Sequence, residues 1–111
     1  MPTDVGQIIG QMGAKAAQVF SSKWPDVRQY AEKEFADFAN SVAMIDEMYS
    51  KGEITEERAQ AHMRMQINSM IPVFIAIEGI SLLMAEEAIN AALSVVSGVI
   101  NTAIGFKLLP T

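Results

Sequence analysis

The chain has 111 residues, half of them hydrophobic and 19% charged, with a formal net charge of −5. It holds no cysteine and one histidine. That excludes disulfide scaffolds, cysteine zinc sites, iron–sulfur clusters and thiol nucleophiles, and the acidic balance argues against nucleic acid as a partner.

A single domain, residues 1–111, is expected at this length. Its mean hydropathy of +0.22 is high for a small chain that must cover its own core. Charge is unevenly spread. Beyond residue 67 only Glu78, Glu86, Glu87 and Lys107 are charged. The first residues, Met-Pro-Thr-Asp-Val-Gly, offer no basic segment followed by an apolar core, so a cytoplasmic protein is expected.

The first helix is predicted at about 3–22. Thr3 and Asp4 suit its start. Val5, Ile8, Ile9, Met12, Ala16, Val19 and Phe20 recur at three- and four-residue steps. Gly6, Gly10 and Gly13 lie on or beside that stripe, each costing about 1 kcal/mol relative to alanine. They mark either a close-docking face or a weak helix.

Trp24-Pro25-Asp26 restarts the chain into a second helix over about 25–51, because proline suits the first helical turn. Val27, Ala31, Phe35, Phe38, Val42, Ile45 and Tyr49 form its apolar stripe. Trp24 is expected to anchor the hinge. Gly52 then ends the helix, Thr55 caps the next, and Glu56 and Glu57 occupy its first turn. The second and third helices are therefore expected to form an antiparallel hairpin.

The third helix is predicted over 55–71, continuing through a kink at Pro72 to about residue 106. A helix from 72 to 106 spans roughly 50 Å at about 1.5 Å per residue. That exceeds the roughly 35 Å of a compact domain of this size. The expected solution is a projecting helix covered by further copies of the chain. The fold class is thus all-α, an antiparallel helical bundle with a long apolar C-terminal helix.

Met63, Met70, Ile77 and Met84 repeat every seven residues, which suggests a coiled-coil-like seam. Met70, Phe74, Ile77, Met84, Ala88 and Val95 are the expected oligomer interface. Glu87, Asn90, Ser94, Ser97 and Asn101 draw one narrow polar stripe along the C-terminal helix. The function expected from this pattern is a non-enzymatic structural or interaction module, assembling as a homo-oligomeric dimer or tetramer.

Two alternatives follow from the same residues. The apolar stretch 67–106 resembles a membrane-inserting, pore-forming (holin-like) hairpin in hydropathy and length, with Glu86 and Glu87 at its tip. Glu34, His62 and Glu78 are candidate ligands of a carboxylate metal site in a bundle, although no Glu-x-x-His string is present. No cofactor and no catalytic residue are assigned. Glu78, a single acid in an apolar run, is the candidate functional acid, with Lys33, Arg58 or Arg64 as possible partners.

Overall fold

The computed structural model describes residues 4–109. Four α-helices follow one another: α1 Val5–Phe20, α2 Trp24–Ser50, α3 Glu56–Ile75 and α4 Leu82–Ile104, with one 3₁₀ turn, Ser21–Lys23, between the first two. No strand occurs among the described residues. Each helix packs on its neighbours in chain order, and α4 closes the ring against α1. Short connections make successive helices antiparallel, giving an up-and-down four-helix bundle of 43 × 22 × 21 Å.

Local chemistry explains most boundaries. Thr3 lies outside the described residues; Asp4 caps α1 by accepting the Gln7 N–H at 3.0 Å. Ile8, Met12, Ala16 and Phe20 are its buried face. The corner into α2 is tight enough that Ser21 takes φ +52°, a conformation that favours glycine. Trp24 stacks on Phe20, ring centroids 6.3 Å apart, and anchors this corner.

The hairpin between α2 and α3 forms as expected. Gly52 adopts φ +72°, and the Glu53 N–H bonds the Met48 carbonyl at 2.8 Å, the long bond of a glycine-terminated helix end. Thr55 caps α3 by accepting the Arg58 N–H at 3.2 Å. Ser41 donates to Gln66 at 3.4 Å, and Tyr49 donates to Glu56 at 3.2 Å, tying the two helices side by side.

The long third helix does not exist as one element. Pro72 lies inside α3, but the helix ends at Ile75. Gly79 then takes φ +85°, and Ser81 caps a new helix by accepting the Met84 N–H at 3.1 Å. Ala76 closes α3, Gly79 turns the chain three residues later, and the capping serine starts the next helix. α4 is 23 residues long, about 35 Å at 1.5 Å per residue, and fits along the 43 Å axis. The excess length is resolved by a chain reversal, and the projecting helix disappears.

The core sits along the bundle axis. Phe74 of α3 is fully buried, 5.6 Å from the Phe20 ring of α1 and 6.2 Å from the Phe35 ring of α2. After α4, Gly105 turns with φ +98° and residues 106–109 fold back over the bundle end. Leu108 and Leu109 are buried there, and Phe106 packs on Tyr49 at 4.7 Å.

Candidate functional site

Glu78 is not a buried acid. It stands on the exposed turn between α3 and α4, and it makes no ion pair with Lys33, Arg58 or Arg64. The chain reversal removes it from the apolar helix in which the continuous pattern had placed it. His62 is half-buried on α3 and Glu34 half-buried on α2. Among the described residues no three His, Asp or Glu side chains gather closely enough to hold a metal ion. Glu34, His62 and Glu78 thus form no common site within one chain.

Glu34 does meet an unusual environment. Only 12% of its side chain is exposed. Burial pushes its carboxyl above the usual range, against the pull of the Lys33 ammonium 4.0 Å away.

The expected oligomer seam is used inside the monomer. Met70, Phe74 and Ala88 have no accessible surface, so no second copy reaches them. Ile77, Met84 and Val95 are half-buried and pack against the same core. The seven-residue repeat is broken by the reversal: Met63 and Met70 belong to α3, Ile77 to the turn, Met84 to α4. The reversal also removes the hairpin expected at 67–106, since Glu86 and Glu87 lie within α4 and not at a tip.

The polar stripe of α4 divides into two parts. Glu87, Asn90 and Ser94 face solvent. Ser97 is buried and donates to the Leu93 carbonyl at 2.6 Å. Asn101 holds the folded-back tail with both amide atoms: it donates to the Leu109 carbonyl at 3.1 Å and accepts the Leu109 N–H at 2.9 Å. Gln60 of α3 adds a bond of 2.8 Å to the Lys107 carbonyl. The second half of the stripe is therefore a structural clamp.

What remains at the surface is uneven. α1 and α4 carry three charged side chains between them, Lys15, Glu86 and Glu87, whereas α2 and α3 carry twelve. A groove runs between α1 and α4, with Gln7, Gln11, Val99 and Ala103 among its walls. It opens onto a shallow face formed by Gly98, Val99, Thr102 and Ala103. Val99 is 54% exposed. Added Cβ atoms at Gly10, Gly13 and Gly98 would meet nothing, so these glycines are not explained by close packing within the chain.

α4 is the one helix among the described residues long and apolar enough to cross a membrane, with a mean hydropathy of 1.4; 44% of that span is buried inside the bundle. Comparison with protein-family models, with curated proteins and with solved structures finds no match to this chain.

Proposed function

We propose that this chain is a non-enzymatic, cytoplasmic assembly module that pairs with a second copy of itself through the outer face of α1 and α4. The observation that carries this reading is the scarcity of charge along that face, where α1 and α4 hold Lys15, Glu86 and Glu87 alone. A two-fold interface sets each patch against its own copy. Charged patches then oppose like charges, whereas an uncharged strip meets itself without electrostatic cost. A net charge of −5 works against self-association everywhere else. Val99, beside Gly98 and Thr102, supplies an apolar centre with little side-chain bulk around it.

The test is sedimentation velocity on detergent-free protein. The wild-type chain is expected to dimerise, and Val99→Glu to weaken the dimer about 10- to 100-fold, or about 1.4–2.8 kcal/mol. Met44→Glu, on an equally exposed site of α2, should leave the dimer intact. A wild-type chain that stays monomeric at about 100 μM, far above the Kd of a specific interface, overturns the reading. Recovery only in detergent would overturn it in favour of a membrane-spanning α4.

A further inference from the structure

We propose that the corner between α3 and α4 is a docking site for a basic amphipathic helix of another protein. The corner joins two features that its own fold does not use. The first is apolar. α3 ends on Ile75, 44% exposed, and α4 begins on Leu82 and Leu83, 55% and 66% exposed. Three large aliphatic side chains thus flank one short turn.

The second feature is acidic. Glu78 lies on the turn itself and is exposed. Glu86 and Glu87 follow Leu82 and Leu83 by four residues on α4, which makes them neighbours on the helix surface. Both are exposed, and none of the three carboxylates makes an ion pair among the described residues. Glu86 and Glu87 stand beyond the first turn of α4, so they do not cap its positive end. Lys23 reaches over the turn, its Nζ 2.7 Å from where a Cβ on Gly79 would stand. Even so, it does not pair with Glu78.

Charge selects the occupant. A second copy docked here in two-fold fashion would set three carboxylates against three others. An anionic lipid surface is repelled by the same groups. A helix with aliphatic residues at i, i+3, i+4 and i+7, flanked by Lys or Arg, would cover Ile75, Leu82 and Leu83 and neutralise the acids around them. Docking here is separate from self-association through Val99, and either can fail without the other.

The experiment uses the full chain and a fluorescein-labelled synthetic helix of leucine and lysine only, about 18 residues or five turns long, with leucine on one face. Anisotropy at physiological salt is expected to show saturable binding. Leu83→Ser, and separately the double reversal Glu86→Lys/Glu87→Lys, should each raise the Kd about tenfold or more. Glu53→Lys/Glu57→Lys makes the same change in net charge at the far end of α3, and should leave the Kd within about twofold. All these side chains are exposed, so the variants should keep the wild-type helical circular dichroism. Equal weakening by the two reversals would reduce the effect to net charge and overturn the proposal. So would the absence of binding or equal binding of the glutamate counterpart of the peptide.

Discussion

The α2/α3 pair and the α1/α4 pair belong to one bundle and share one core, yet they meet solvent differently. On α2, side chains away from the core form i,i+4 ion pairs: Arg28–Glu32 at 3.3 Å and Lys33–Asp37 at 3.1 Å, with Lys51–Glu47 at 2.8 Å closing the end. Such exposed, solvent-screened pairs contribute little to stability. Their main effect is to keep that side wetted. On α1 and α4 the exposed positions include Gly10, Ala14, Ser94, Gly98, Val99 and Thr102, and the charged ones among them are Lys15, Glu86 and Glu87 alone. A four-helix core constrains only the inward faces, so nothing in the monomer requires the other side to be so bare. The contrast separates what the fold needs from what an assembly would need.

The strongest way to break the comparison is to ask whether the two pairs are one cooperative body. Phe74 links them, because its ring meets Phe20 on α1 and Phe35 on α2. Phe74→Ala is expected to cost about 3–5 kcal/mol in a single denaturant transition followed by circular dichroism and by Trp24 fluorescence. Non-coincident transitions would show that α1/α4 and α2/α3 unfold separately. A loss confined to oligomerisation, with monomer stability unchanged, would return Phe74 to an intermolecular role.

A smaller effect sharpens the picture of α4. Asn101 is an amide in the uncharged second half of α4, and both its polar atoms are engaged by the Leu109 backbone. Asn101→Ala should cost about 1–3 kcal/mol, because it leaves the partly buried Leu109 groups unpaired. The Leu109 amide should lose most of its hydrogen-exchange protection while α1 and α2 keep theirs. Unchanged protection would show that Leu108 and Leu109 are held by burial alone.

Much of the fold was legible in the residues, for reasons that also mark where legibility stopped. The hairpin at Gly52 and Thr55 was readable because stop and start signals lie close together between two clear apolar stripes. A positive-φ glycine and a capping serine recur at Gly79 and Ser81, beginning three residues past the Ala76 that closes α3, but apolar residues surround them on both sides. Without a change in hydropathy, periodicity continues through the turn, and Pro72 drew the expected irregularity seven residues too early. That one missed reversal displaced Glu78 from surface to interior and turned Met70, Phe74 and Ala88 from core into interface. In the sequence Asn101 belongs to a polar stripe. Its role depends on the tail folding back at Gly105, a tertiary fact with no local signature. The charge imbalance between helices was visible early as an imbalance along the sequence. Only the packing of α1 beside α4 makes it a property of one face.

The smallest expected effect tests the charged side where it touches the core. Glu34 has a raised pKa, first through burial of its carboxyl, with Lys33 opposing and Asp37 adding to the shift. A carboxyl whose folded pKa lies above its unfolded value binds protons more tightly in the native state, so stability falls as pH rises through the interval between the two. Below the unfolded glutamate range both states are protonated and the penalty vanishes. Above the folded value the penalty is constant. Glu34→Gln should therefore match the wild-type chain in acid and exceed it in stability at neutral pH, with the gap opening as pH climbs past the normal glutamate range. Glu47 provides the opposite sign on the same helix. Its hydrogen bond to Lys51 lowers its pKa, so its contribution is present above the unfolded glutamate range and is lost as pH falls through the folded value. Glu47→Gln should be the less stable variant at neutral pH and converge with wild type in acid. Thermal melts of the three proteins across pH 3–8 would read both slopes; two slopes of the same sign would mean that α2 responds to its net charge and not to the burial of Glu34.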